Sequence, residues 1–187
     1  AVPSRKPYTY TDEYEGTKIA DALVLQVDST ILNFFDYTTK EGSLQEALNT
    51  PDKVALSETY AHKVFGSKNC IGEVIESISA KGERKAYQIA AVLKERPQSF
   101  LQFDMLTAID NSFYGGATLL KLPAETDAST LQAKIKEDKV PTLMPGQTDY
   151  YIEPIKEIYF ASKSNSKQQQ LPYLHQANVE LLYIALI

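Results

Sequence analysis

Residues 54–72 read VALSETYAHKVFGSKNCIG, and this stretch decides the fold. Val54-Ala55-Leu56 is apolar and partly β-branched, as a short strand requires. Ser57 follows and can cap a helix by accepting a hydrogen bond from a backbone N–H of its first turn. Glu58 then falls in that turn, where a negative charge suits the helix dipole. Ala61, Val64 and Phe65 recur at helical spacing and give the helix one apolar face. Gly66 comes next and supplies the stop. From Ile71 through Gly72, Glu73, Val74 and Ile75 the alternation predicts a second strand.

Outward from this unit the chain continues in strands. Val74 to Ala80 and Ala86 to Leu93 flank Lys81-Gly82-Glu83-Arg84, whose glycine and charges predict a hairpin turn. Pro97-Gln98-Ser99 breaks the run, and Phe103 to Ile109 predicts another strand. Upstream, Ala22 to Val27 (ALVLQV) is nearly all apolar, as in a strand buried on both faces. Asp28 or Ser29 can cap a short helix through Ile31, Leu32 and Phe35. Gly42 ends that unit, and Ser43-Leu44-Gln45-Glu46 fits a capping box opening one more helical turn. Tyr8, Tyr10 and Tyr14 could line one face of an extended segment, with Pro3 and Pro7 making its start irregular.

Beyond residue 110 the pattern changes again. Asn111 to Gly116 is a turn-rich joint. Ala117 to Leu122 predicts a strand, and Asp127 to Asp138 a helix capped by Asp127 with a stripe of Ala128, Leu131 and Ile135. Asp149 to Ile155 predicts a strand. The order implies an α+β fold: a lobe of strand–helix–strand units from both ends of the chain (1–50 and 111–177) with a small β-rich module (51–110) inserted between. Residues 162–170, SKSNSKQQQ, read as a polar loop. Residues 178–187, NVELLYIALI, are an apolar run too short to cross a bilayer, which takes about twenty apolar residues. That run is either a last core element or the start of a longer membrane helix. The chain begins Ala1-Val2-Pro3 without an initiator Met, as a processed chain or an excised piece does.

The series LSETYAHKVFG followed by IGEVI resembles the motif of the MacB-like periplasmic core domain, the extracytoplasmic part of FtsX-type ABC-transporter permeases. Leu56, Ser57, Glu58, Ala61, Phe65, Gly66, Ile71 and Gly72 carry the resemblance, as structural rather than reactive residues. The chain departs from the pattern at Cys70, where Pro is commoner. The resemblance implies a porter-like α/β lobe interrupted by the smaller β-rich module, and makes residues 178–187 the start of a truncated transmembrane helix. It implies no catalysis and no cofactor, and an inner-membrane protein with this domain on the periplasmic side. The partners it implies are a second permease copy or paralogue, a cytoplasmic ATP-binding subunit or domain that this domain does not touch, and a periplasmic protein or exported substrate.

Composition is that of a globular protein. Of 187 residues, 43% are hydrophobic and 23% charged, enough for a packed core. A net charge of -5 argues against phosphate backbones as the main partner. A single cysteine, Cys70, forms no internal disulfide and reads as a small buried residue. Metalloprotease, nucleophile-elbow, paired-cysteine and P-loop motifs are all missing from the sequence. Glu58 and His62 lie four apart on the expected helix and could offer two metal ligands, yet a site needs a third, and the only other histidine is the distant His175. Asp104 and Asp110 flank a strand as solvated carboxylates. Tyr150, Tyr151 and Tyr159 read mainly as sheet filler. Two other function classes stand beside the permease domain: a secreted or surface-anchored module holding a peptide or glycan, and a hydrolase built on Glu58 and His62.

Overall fold

Val54, Ala55 and Leu56 are all fully buried. A strand whose consecutive side chains point to opposite faces is buried this way only when both faces of its sheet are covered. The computed structural model describes residues 9–14, 16–78, 82–95, 101–109, 119–124, 126–138 and 152. Among them are seven strands: β1 (Thr9–Tyr14), β2 (Thr17–Val27), β3 (Thr39–Gly42), β4 (Lys53–Ser57), β5 (Val74–Ile78), β6 (Arg84–Leu93) and β7 (Met105–Ala108). The helices are α1 (Leu44–Asn49), α2 (Glu58–Phe65) and α3 (Ala128–Glu137), and a 3-10 turn spans Ser29–Asn33. The architecture is α+β, as the pattern of elements implied.

All seven strands belong to one mixed sheet in the order β3-β6-β4-β7-β2-β1-β5. β2 runs parallel to β7 and β4 parallel to β6, whereas the other pairs are antiparallel. β5 also pairs with β6, so six strands close a ring of pairings and β3 adds to it along β6. The two faces carry separate cores. Leu25, Val27, Leu44, Ala47, Leu48, Ala55 and Leu106 pack together on the side of α1 and the 3-10 turn. Ala22, Val54, Leu56, Ile75, Ile89 and Met105 pack with Tyr60, Ala61 and Phe65 of α2 on the other.

A bulge on β6 joins sheet and helix. Val54 faces Ile89 and Ala55 faces Ala91, which leaves Ala90 as the extra residue. Ala90 and Ala91 consequently both turn to the α1 core. The Ala90 carbonyl accepts the Ser43 N–H at 2.8 Å, and the Ser43 hydroxyl in turn caps α1 by accepting from the Glu46 N–H. Only half of the expected capping box forms, because the Ser43 N–H goes to the sheet and the Glu46 carboxylate to Lys53. The close approach needs a residue without a Cβ: Gly42 has φ +75°, and a Cβ there would lie 2.0 Å from the Ala90 oxygen.

β2 begins at Thr17, five residues before the apolar run, because β1 pairs with its polar half across a reversal that holds Gly16 at φ +75°. The second strand of the opening motif starts at Val74 and not at Ile71: Ile71 and Gly72 form a turn, with Gly72 at φ +89°. β5 and β6 form the expected hairpin, Val74 facing Gln88 and Ile78 facing Arg84. The strand expected at Phe103 to Ile109 is confined to Met105–Ala108. Residues 119–122 carry no strand, contrary to expectation: Leu119 packs on the α1 core while Leu120 is 53% exposed. α3 is capped by Asp127 as expected, through the Thr130 N–H. Its stripe of Ala128, Leu131 and Ile135 is half-buried. The boundary expected between residues 50 and 51 runs through continuous sheet, since β2 pairs with β7 and β3 with β6. The joint at 111–116, the strand at 149–155 apart from Ile152, the loop at 162–170 and the run at 178–187 lie outside the described residues.

Candidate functional site

The motif of the opening stretch is built around α2. Ser57 ends β4 in an extended conformation, and its Oγ accepts the Tyr60 N–H at 3.1 Å. The Thr59 N–H donates to the Glu95 Oε1 at 2.8 Å. Two of the amide groups that a helix start leaves without an intrahelical acceptor are thereby satisfied by side chains. The helix ends where the Gly66 N–H meets the His62 carbonyl at 2.8 Å. Gly66 has φ +63° and ψ −122°, a conformation that glycine adopts most readily, although a Cβ there would meet no atom within 4 Å. Backbone conformation, not space, selects glycine at this stop.

The buried face of α2 holds Tyr60, Ala61 and Phe65. The Phe65 ring meets Tyr14 of β1 edge-on, with centroids 4.5 Å apart. Leu56 is fully buried in the same core, and Ile71 packs against it. The turn after the helix is held locally and by the sheet. Asn69 Oδ1 accepts the Ile71 N–H at 2.9 Å, the Gly72 N–H donates to the Ile89 carbonyl at 2.8 Å, and the Ile89 N–H donates to the Glu73 carbonyl at 2.9 Å.

Glu58 is engaged by Lys40 of β3, with the Nζ 2.6 Å from Oε1. The hydrogen bond from the Lys40 ammonium holds the Glu58 carboxyl below the usual carboxylate range and raises Lys40 in turn. His62 is exposed one turn on. Among the described residues no three His, Cys, Asp or Glu side chains cluster as a metal site. His175, Asp110, Tyr150, Tyr151 and Tyr159 lie outside the described residues. Cys70 is 3% exposed, and desolvation pushes its thiol up, away from the thiolate that nucleophilic attack requires.

Asp104 departs from the solvated reading. Its Oδ2 accepts the Leu23 N–H at 2.8 Å, its own N–H donates to the Leu23 carbonyl at 2.8 Å, and its carbonyl accepts the Ser57 N–H at 2.9 Å. One residue thus ties β2, β7 and the cap of α2 together. No local signal marks it, because Leu23 is 81 positions away. The assembled motif is a set of caps, turns and packed side chains, with Glu58 paired to Lys40 at the surface.

No protein-family model and no curated protein matches this chain. Solved structures do. A domain of a protein described as a permease from Porphyromonas gingivalis aligns at a TM-score of 0.57 and 19% identity, over 73% of this chain and 60% of that one. The periplasmic region of MacB from Actinobacillus actinomycetemcomitans aligns at 0.52 and 11% identity, over 74% and 64%. The extracellular domain of the ABC-type transporter YknZ from Gram-positive bacteria aligns at 0.44 and 18%, over 57% and 52%. The chain spans less than two thirds of the length of each of these structures. Among the described residues no helix is long and apolar enough to cross a membrane. The chain shares its fold with that permease domain and with the MacB periplasmic region.

Proposed function

We propose that this chain is the extracytoplasmic domain of an ABC-transporter permease subunit, and that it performs no chemistry of its own. The observation that carries this reading is the shared fold with a permease domain and with the MacB periplasmic region. The motif residues from Leu56 to Gly72 support it as the structural part of such a domain. In this reading membrane helices flank the domain, a cytoplasmic ATP-binding subunit or domain drives them, and a second permease copy or paralogue stands opposite. The domain converts that drive into motion outside the membrane, which exports a substrate, extracts a lipoprotein or activates a periplasmic partner.

A sheet whose strands close on one another transmits force as one body, and movement concentrates at a few link residues. Pro51, between α1 and β4, is a poor hinge because both elements pack on the same sheet. Reading the gene on both sides of the chain tests the proposal. Apolar spans of about twenty residues before Ala1 and continuing from Asn178 are expected. A reading frame that ends near Ile187 with no span on either side overturns the proposal and favours a free binding module. Within the full permease, Glu58→Gln and His62→Ala leave ATP-driven transport intact. Loss of transport with an unchanged fold would overturn the non-catalytic assignment.

A further inference from the structure

We draw no further inference here: the strongest candidate, the half-buried aromatic cluster of Phe35, Tyr37 and Phe103 beside the α1 core, is an apolar patch for which nothing in the structure shows what covers it.

Discussion

Gly42 and Gly16 have the same φ of +75° and different surroundings. A Cβ at Gly16 meets nothing within 4 Å, so Gly16→Ala costs only the left-handed strain, about 1–2 kcal/mol. At Gly42 the strain is joined by collision with backbone: the Ala90 oxygen cannot move aside without releasing the Ser43 N–H and with it the start of α1. Gly42→Ala is therefore expected to cost roughly 3 kcal/mol or more. Urea midpoints of the two variants check the order, and equal losses would remove the bulge from the account. The Lys40–Glu58 pair makes a prediction about pH. A depressed folded-state pKa at Glu58 contributes stability that is present above the ordinary value of 4.5 and is lost as pH falls through the folded value. The raised Lys40 works in the other sense, its contribution present below 10.5 and lost as pH rises through the folded value. Glu58→Gln should lower the urea midpoint at pH 7, and the difference from the parent chain should narrow as pH falls below 4.5 and shrink in high salt.

Helix α2 is short, and its stability comes mainly from packing its apolar face on the sheet, because isolated helices of this length are marginal in water. Phe65→Ala removes the edge contact with Tyr14 and opens a void in the α2 core, for an expected loss of about 3–5 kcal/mol. Ser57→Ala removes only the bond to the Tyr60 N–H and should cost about 1 kcal/mol. Denaturant unfolding of both variants separates the two contributions, and a larger loss for Ser57→Ala would place the stability in the cap. α2 was legible in the sequence because the signals that mark its ends and its buried face are local: the cap, the spacing of Ala61, Val64 and Phe65, and Gly66. The same holds for the caps at Ser43 and Asp127 and for the β5–β6 hairpin. β1 shows in the sequence as an extended segment through Tyr10 and Tyr14, whereas the polar half of β2 and the charged strand β3 do not show, since each is a strand only by virtue of a partner. β3 has the sequence TKEG and pairs with β6 some fifty residues on; β1 pairs with β5 more than sixty residues on. Glu58 offers itself as a ligand in the sequence for the same reason: its partner Lys40 lies eighteen positions back.

At the scale of the molecule, the sheet decides which parts of the chain move together. Strands from before residue 50 and after it are interleaved in the order, with β3 beside β6, β2 beside β7 and β1 beside β5. Asp104 reinforces the junction by bonding to β2 through side chain and backbone and to the end of β4 through its carbonyl. A division of the chain at residues 50 and 51 would therefore have to break the β2–β7 and β3–β6 ladders together with both cores. Cooperative units in a native protein open with their own free energies, which hydrogen exchange measures amide by amide. If the ring of strands is one unit, the buried amides of β2 and of β4 exchange with the same opening free energy and the same dependence on denaturant. Asp104→Ala, which leaves the half-buried Leu23 N–H without its side-chain acceptor at a cost of about 1–3 kcal/mol, then lowers both values together. Should β4 and β7 open while β2 stays protected, residues 51–110 would be a separate module docked on the rest, and the rigid body that carries force in the permease reading would be the smaller one.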